Sequence, residues 1–193
     1  MTHYLVKKLQ RLDAEIHQLE EDIYGPEFFA GRSETVTRSA SVVVPVIVDL
    51  FHPQSVLDVG CGQGEWLEAF GLDDMQGVDI AAPEPYLQFD LNYRLALGRT
   101  FDLVLSLETG EHLPPSADDV YVDSICRHSR TVVFSAAVPG QEGKGHINCQ
   151  PHEHWHEKFE ARGYRVLDVI RPRLAGRYDV SDWYRNNIFA YAK

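Results

Sequence analysis

Residues 55–67 read Ser-Val-Leu-Asp-Val-Gly-Cys-Gly-Gln-Gly-Glu-Trp-Leu, and this stretch decides the fold. A short apolar run rich in β-branched residues precedes three glycines in five positions, and a helix-compatible segment follows. This order predicts a strand, a tight turn and the start of a helix. Gly60, Gly62 and Gly64 let the backbone approach a ligand where any Cβ would collide, and the helix start presents unpaired N–H groups. The stretch therefore predicts a site for a nucleotide-like ligand.

The glycine pattern differs from the two common phosphate-binding loops. A P-loop needs Gly-Lys-Ser/Thr, which is missing, and the dinucleotide fingerprint needs Gly-x-Gly-x-x-Gly, whereas residues 60–64 read Gly-Cys-Gly-Gln-Gly. An acid, Asp58, stands near the end of the preceding strand. Because a carboxylate repels a pyrophosphate and attracts a cation, we expect a cationic ligand here.

The pattern Val-Leu-Asp-Val-Gly-Cys-Gly-x-Gly resembles the first motif of class I S-adenosylmethionine (SAM) dependent methyltransferases, and further similar segments follow in the family's order. Gly-Val-Asp79-Ile resembles the second strand, whose acid holds the ribose hydroxyls. Phe-Asp90-Leu resembles the third-strand segment, whose aspartate meets the adenine amino group. Residues 101–108, Phe-Asp-Leu-Val-Leu-Ser-Leu-Glu, resemble the fourth strand, which ends under the reactive methyl group. The resemblance extends from about Ser39 to Lys193.

The resemblance implies an α/β fold: a Rossmann-like, seven-stranded, doubly wound sheet of order 3-2-1-4-5-7-6 with an N-terminal helix. It also implies SAM as the cofactor, and we expect residues 39–193 to form the SAM-binding methyltransferase domain. The residues that the family's motifs assign to the cofactor are Asp58, Gly60, Cys61, Gly62, Asp79, Ile80, Asp90, Leu91, Leu107 and Glu108.

Composition limits the classes of function. With 193 residues, of which 44% are apolar, the chain can bury one core and is expected to form one domain with appendages. A net charge of −11 argues against broad contact with nucleic acid. The longest apolar run, residues 42–48, is too short for a bilayer, and no signal-peptide pattern is present, so a cytoplasmic location is expected. Cys61, Cys126 and Cys149 form no CxxC pair and are predicted to be reduced thiols.

Residues 1–38 are predicted to form an N-terminal heptad helix and a lid segment. Apolar residues recur at heptad spacing between Leu5 and Ile23, which predicts a helix with one narrow apolar seam. That seam either packs across its own domain or pairs two chains as a homodimer through residues 3–23. The segment from Tyr24 to residue 38 is loop-like in composition, and Tyr24 and Phe28 are expected either in a substrate wall or in the core.

Strand and helix patterns alternate in the rest of the chain, which predicts a doubly wound sheet with the ligand outside the carboxyl ends of the strands. We expect helices at residues 39–51, 66–70 (the first long helix), 116–128 and 151–162, and further strands at residues 131–138, 164–170 and 187–192.

The carboxyl ends of the fourth and fifth strands are rich in groups that could act in methyl transfer. Residues 108–112, Glu-Thr-Gly-Glu-His, resemble the metal-binding motif of ubiquinone-pathway O-methyltransferases and of small-RNA 2′-O-methyltransferases. In the RNA enzymes a later histidine completes the site, a part that His146 can play. The resemblance thus implies a possible metal site of Glu108, Glu111, His112 and His146, a set that suits Mn²⁺, Fe²⁺, Zn²⁺ or Mg²⁺.

Two alternatives to a metal stay open, because many metal-free methyltransferases also end this strand in Glu-His-Leu-Pro. In the first, His112 or His146 is the general base, since an imidazole suits proton abstraction at neutral pH. In the second, these side chains only order the loop. The predicted catalytic residues are His112, His146 and Glu111.

Residues 136–151, with Trp155 and Phe159, resemble a subgroup of bacterial small-molecule methyltransferases linked to sugar and natural-product tailoring. This resemblance implies that Asn148 and Gln150 bind the acceptor. Trp183 either closes the pocket or packs in the core. His152 and His156 share a helix face only if the helix opens at Pro151, and His154 then points elsewhere. These three histidines are therefore expected at the surface rather than in a zinc site.

These observations predict a SAM-dependent methyltransferase, and O-methylation of a polar small molecule such as a sugar or natural product is the favoured reaction. One alternative is metal-dependent 2′-O-methylation of an RNA end. Another is a catalytically silent subunit that pairs through its N-terminal helix with an active partner.

Overall fold

The computed structural model describes residues 26–193, with side chains from residue 33 onward. The predicted heptad helix at residues 3–23 and the side chains of Tyr24 and Phe28 therefore lie outside the described residues. Their predicted roles in pairing and substrate binding stay predictions.

Seven strands form one sheet in the order β3-β2-β1-β4-β5-β7-β6, which confirms the predicted fold class. The first five pair in parallel, and β7 is antiparallel to both β5 and β6. The strands are β1 (Ser55–Val59), β2 (Asp74–Asp79), β3 (Leu87–Gln88), β4 (Leu103–Leu107), β5 (Thr131–Ser135), β6 (Arg165–Leu167) and β7 (Phe189–Ala192).

Helices cover both faces of the sheet, so β1, β4 and most of β5 are buried throughout. Two short 3₁₀ turns, Gly110–His112 and Pro115–Ala117, follow β4. The helices are α1 (Pro26–Phe51), α2 (Glu65–Phe70), α3 (Asp118–His128), α4 (His152–Glu160), α5 (Arg171–Leu174) and α6 (Asp182–Asn187). In the described part of the chain, no helix is apolar over enough residues to cross a bilayer.

The first helix corrects one expectation from the sequence. Residues 26–38 are helical rather than loop-like, because α1 runs without interruption from Pro26 to Phe51. Buried Ala40, Val43 and Ile47 recur at helical spacing and pack into the core beneath the sheet. Burial of such a stripe stabilises a helix more than the propensities of single residues do. The weaker helix formers that precede the stripe therefore become part of the same helix.

Side chains alternate along the central strands between two cores. Val56 of β1 packs into the core that α1 and α2 cover, whereas Leu57 and Val59 pack into the core that α3 and α4 cover. Because successive residues of a strand point to opposite faces, Asp58 lies on the face of Val56. A carboxyl group is thus placed inside the sheet, next to the start of the glycine turn.

Several element boundaries also differ from those expected. The helix after the glycine turn has only six residues, since Gly71 ends it with a φ of +59°. The third strand is Leu87–Gln88, so Asp90 and Leu91 follow that strand instead of forming it. A short β3 leaves these two residues in a loop at the carboxyl edge of the sheet.

Candidate active site

The glycine turn after β1 is fixed from two sides. The backbone N–H groups of Gly60 and Cys61 both donate to the carbonyl of Val78 in β2, at 2.7 and 3.1 Å. Gly60 has a φ of +86°, and a Cβ built on it would lie 2.2 Å from Oγ1 of Thr109. Glycine is therefore required at this position both by its backbone conformation and by the close approach of the turn that follows β4.

Asp79 at the end of β2 faces the same turn. Its Oδ2 accepts a hydrogen bond from the Gly62 N–H at 3.0 Å, and its Oδ1 accepts one from Ala81 at 2.9 Å. Burial raises the pKa of Asp79, and the backbone donors oppose that rise. The carboxylate is thus held rigidly at the carboxyl edge of the sheet, where the family's motif assigns it to the cofactor.

A cavity of about 400 Å³ opens at this edge, within the usual range for a small-molecule site. Every predicted cofactor residue except Asp58 lines it, as do the three predicted catalytic residues, Glu111, His112 and His146. The cofactor residues in the lining are Gly60, Cys61, Gly62, Asp79, Ile80, Asp90, Leu91, Leu107 and Glu108.

Asp58 departs from its predicted role as a direct contact. It is 1% exposed, it is absent from the cavity lining, and its Oδ2 has no hydrogen-bond partner among the described residues. Burial raises its pKa well above the usual range, and the charges of Asp79 and Glu65 raise it further. Asp58 therefore lies behind the glycine turn and makes no direct contact with the cavity.

This burial predicts a pH effect on stability. The native carboxyl of Asp58 keeps its proton above about pH 4, where the unfolded carboxyl has lost it, so native stability falls as pH rises through that window. Asp58→Asn removes this titration, and we expect the variant to be more stable than wild type near neutral pH and less dependent on pH. Urea unfolding at a series of pH values measures this, with Asp73→Asn at an exposed site as the control. Equal pH slopes for wild type and Asp58→Asn would contradict the prediction.

The two predicted catalytic histidines lie on separate segments that the backbone holds together. His112 ends the 3₁₀ turn after β4, and His146 lies in the loop after β5. The N–H groups of Ile147 and Asn148 both donate to the carbonyl of Glu111, at 2.9 and 3.0 Å. The imidazole centroids of His112 and His146 are consequently 5.1 Å apart.

Both imidazoles have a defined tautomer. Nδ1 of His112 lies 3.2 Å from the carbonyl oxygen of Gly145, and Nδ1 of His146 lies 3.1 Å from that of Gln141. A carbonyl only accepts, so each Nδ1 donates and each neutral ring carries its lone pair on Nε2. Gly143 makes room for this arrangement, since a Cβ there would lie 2.2 Å from Nε2 of His146.

Glu111 is the third member of the cluster that His112 and His146 form. Its side chain is fully buried, and its Oε1 lies 4.0 Å from Nε2 of His146. One ligand atom each from Glu111, His112 and His146 fall within 4.8 Å of one another. Glu108, the fourth predicted metal ligand, is not part of this group. Its Oε2 accepts a hydrogen bond from Gln141 at 2.7 Å.

Glu108 itself has an unusual backbone conformation. Its φ is +53°, in the left-handed region that a residue with a Cβ rarely adopts, and its N–H donates to Ser135 of β5. Burial raises the pKa of Glu108, and its side-chain contacts with Ser135, Gln141, Asn187 and Glu111 oppose that rise. Such strain at the end of a strand is typical of functional sites.

Asn148 and Gln150 do not occupy the acceptor positions that were expected of them. Neither lines the cavity, and Asn148 is 2% exposed. Its amide nitrogen donates to the buried carboxyl of Asp118 at 2.8 Å, and its amide oxygen accepts from Gln150 at 2.8 Å. Both ends of the Asn148 amide are therefore engaged in holding the loop that carries His146. Trp183, by contrast, lines the cavity and is 40% exposed.

The other three histidines of this region are half-buried rather than simply exposed. His154 pairs with Asp118 at 2.7 Å, His152 bonds to Asn187 at 3.2 Å, and His156 bonds to the hydroxyl of Tyr191 at 2.8 Å. Because their partners lie on α3, α6 and β7, they connect α4 to the rest of the fold.

Some cavity residues carried no clear signal in the sequence. Gln141 lies in a glycine-rich loop whose conformation the sequence does not predict. Thr109 lies between Glu108 and Glu111, whose carboxyl groups are the more obvious candidates for a functional role. Thr35 and Val36 of α1 also line the cavity, so the segment predicted as a lid does reach the site.

Comparison with known proteins identifies the family. The family model described as a methyltransferase domain matches residues 32–169. The chain belongs to this methyltransferase family. It is a SAM-dependent enzyme of class I, as its motifs predicted, and its cofactor is SAM. Among curated proteins, no significant match to the methyltransferase exists.

Solved structures share the fold of this methyltransferase at low sequence identity. The plantazolicin methyltransferase BpumL, in complex with SAH, has a TM-score of 0.56 and 15% identity over 97% of this chain and 98% of its own. The methyltransferase domain of bacterial CtHen1 has a TM-score of 0.56 and 16% identity over 82% of this chain and 100% of its own. Magnesium protoporphyrin IX methyltransferase from Synechocystis PCC 6803, with bound SAM, has a TM-score of 0.57 and 17% identity over 85% and 80%.

The residues present fit the cofactor. A glycine turn that excludes any Cβ and the rigid carboxylate of Asp79 suit an adenosyl group, and the acids that line the cavity suit its cationic sulfur. The aspartate after β3, Asp90, lines the same cavity.

Proposed function

We propose that this methyltransferase methylates a hydroxyl group of a polar small molecule, such as a sugar or natural product, and that His146 removes the hydroxyl proton. The main observation in support of this proposal is the pair of imidazoles that follow the carboxyl ends of β4 and β5. Each has its Nδ1–H bonded to a loop carbonyl, which directs the lone pair of Nε2 to the proton acceptor role.

The chain's own residues perform three tasks in this reaction. When bound, SAM supplies an electrophilic methyl group on a sulfonium and leaves as a neutral thioether. Nε2 of His146 accepts the acceptor's proton as the oxygen attacks, and the carboxyl of Glu111, 4.0 Å away, offsets the charge that the ring gains. Trp183 and Tyr184 line the cavity and exclude water from it.

Charge in the cavity supports a small uncharged or cationic acceptor over an RNA end. Its described lining includes six acids and neither lysine nor arginine. A phosphate group brought to such a lining meets repulsion instead of the basic groups that normally bind it. The acids are Glu65, Asp79, Asp90, Glu108, Glu111 and Glu142.

A panel of acceptors tests the proposal. SAH release is measured from SAM with neutral sugars, amino sugars, catechols and a 3′-terminal RNA dinucleotide as acceptors, and the methylated atom is located by NMR. We expect turnover with a neutral or cationic hydroxyl compound and methylation at oxygen. Methylation at nitrogen or carbon, or turnover with the dinucleotide alone, would contradict the proposal.

A second candidate function is metal-assisted O-methylation, which the clustering of Glu111, His112 and His146 favours. One carboxylate and two imidazoles suit Zn²⁺, Mn²⁺ or Fe²⁺, and the carbonyl bonds of both Nδ1 atoms orient the rings as metal ligands commonly are oriented. A bound ion would lower the pKa of a coordinated acceptor hydroxyl.

Metal binding makes a separate prediction. Electron paramagnetic resonance of wild-type protein titrated with MnCl₂ should show bound ion, and Glu111→Gln should remove it, because a neutral amide is a much poorer ligand. The exposed substitution Glu153→Gln is the control. If wild type binds no Mn²⁺ or Zn²⁺ and EDTA leaves its turnover unchanged, the metal candidate fails and the imidazole base stands alone.

Two further predictions accompany this function. Residues 3–23 are proposed to pair two chains, and the enzyme is proposed to act in the cytoplasm. The apolar heptad seam supports the first, and the three cysteines, all of them free thiols, suit the reducing conditions of the second.

A further inference from the structure

A continuous run of side-chain hydrogen bonds leads from α4 to Glu108. Nε2 of His152 lies 3.2 Å from Oδ1 of Asn187, the last residue of α6. Nδ2 of Asn187 donates to Oε1 of Gln141 at 2.9 Å. Nε2 of Gln141 then donates to Oε2 of Glu108 at 2.7 Å. We call these four residues the amide relay.

All three bonds of the amide relay point the same way. Each amide accepts through its oxygen from the residue behind it and donates through its nitrogen toward Glu108. An amide oxygen only accepts, so Nε2 of His152 must carry the proton that Asn187 receives. At the other end a carboxylate only accepts. Neither amide can rotate without setting two acceptors or two donors face to face.

The position of Asn187 makes this polarity costly to disturb. Asn187 is 4% exposed, so water has little access to replace a lost partner. It does not line the cavity, and neither does His152. Asn187 reaches the active site by two contacts, one with Gln141, which lines the cavity and donates to Glu108, and one with the Glu108 carboxyl itself.

Glu108 has reason to need such support. It follows β4 with a φ of +53°, and the same short segment carries Glu111 and His112. A carboxylate on a strained backbone is directed by its side-chain contacts. The donor from Gln141, 2.7 Å from Oε2, is one of these, and hydrogen bonds to a charged group are the stronger kind.

We propose that Asn187 is a positioning residue, which together with Gln141 fixes the Glu108 carboxylate for cofactor binding. This inference rests on the assignment of Glu108 to the cofactor. Asn187 lies outside the family motifs of the chain, and the inference makes the corner between α6 and β7 a support of the cofactor site.

Asn187→Asp tests the relay with almost no change of shape. The new carboxylate cannot donate, so Gln141 must turn its amide toward it, and Oε1 of Gln141 then faces Oε2 of Glu108. We expect SAM affinity in calorimetry to fall about tenfold to a hundredfold, the usual effect of losing a hydrogen bond to a charged group. The neighbouring Asn186 is exposed, and Asn186→Asp adds the same charge as a matched control that should leave SAM affinity unchanged.

A second variant protects the test against loss of folding. Gln141→Leu lies in a half-exposed loop and removes the donor to Glu108, while the buried residue Asn187 itself is kept. It should weaken SAM binding to a similar extent while the melting temperature stays near that of wild type. Normal SAM affinity in a folded Gln141→Leu protein would overturn the proposal.

A double-mutant cycle with Glu108→Gln separates positioning from general damage. When residue 108 is an amide, its nitrogen can donate to the turned Gln141, so Asn187→Asp should have little further effect on SAM affinity. An equal loss in both backgrounds means that Asn187 acts independently of Glu108, which overturns the inference. If Glu108→Gln alone leaves SAM affinity intact, the inference also falls, whereas the proposed O-methylation stays measurable through turnover.

Discussion

His146→Ala is expected to lower the turnover number by about 10²- to 10⁴-fold, the usual contribution of a general base, and to leave SAM affinity essentially unchanged. The reason is positional. Nε2 of His146 reaches the cavity beside Glu111, whereas the glycine turn and Asp79, which the cofactor requires, lie on other strands. Steady-state turnover and calorimetry with SAM measure the two quantities separately.

An exposed histidine provides the control for this prediction. His52 lies at the end of α1, away from the cavity lining, and His52→Ala should leave both quantities unchanged. Gly143→Ala offers an independent route to the same result, because its Cβ would meet Nε2 of His146 at 2.2 Å and displace the ring. A fully active His146→Ala enzyme would remove the residue from the mechanism and leave His112 as the remaining base.

Gly60→Ala is expected to reduce SAM affinity by about a hundredfold and to lower turnover as well, as overpacking of a tight site commonly costs about 1–3 kcal/mol. The added Cβ would lie 2.2 Å from Oγ1 and 2.8 Å from Cβ of Thr109, so a rotamer change cannot relieve the clash. Thr109 stands between Glu108 and the turn that carries Glu111 and His112. Displacement of Thr109 therefore disturbs the cofactor cradle and the catalytic cluster together.

Gly98→Ala is the matched control for backbone strain. Gly98 has a φ of +70°, close to that of Gly60, but nothing lies within 4 Å of a Cβ built on it. This substitution should cost about 1 kcal/mol of stability through its left-handed backbone and leave SAM binding unchanged. If both variants bind SAM equally well, the steric argument for Gly60 is wrong. Chemical unfolding and calorimetry provide the two measurements.

Much of the cofactor site follows from local sequence. The spacing of Gly60, Gly62 and Gly64 specifies a turn that approaches a ligand, and Asp79 ends the next strand. Since the carboxyl ends of adjacent parallel strands share one edge, these groups meet in any sheet of this order. Successive side chains of β1 point to opposite faces of the sheet, so the sequence also indicates that Asp58 shares a face with Val56, away from direct contact with a ligand.

The part of the site that binds the methyl acceptor was harder to predict from local sequence. Asn148 looked suited to bind an acceptor because it is polar and lies in a glycine-rich loop. Its hydrogen-bond partner in the structure, Asp118, is 30 residues away at the start of α3, and no local sequence pattern links the two residues. The same holds for α1, which is continuous from Pro26 into the buried stripe of Ala40, Val43 and Ile47, whereas residue propensity did not predict its first part.

The amino-acid sequence by itself determined the fold family, the cofactor and the edge of the sheet where the reaction takes place, because these depend on glycine spacing and on the order of strands. The tertiary structure alone decided which nitrogen of His112 and His146 carries the lone pair, which amide holds Glu108 and which acid is too buried to touch a ligand. These features depend on hydrogen bonds between segments distant in the chain, and such bonds exist only after the segments have packed together.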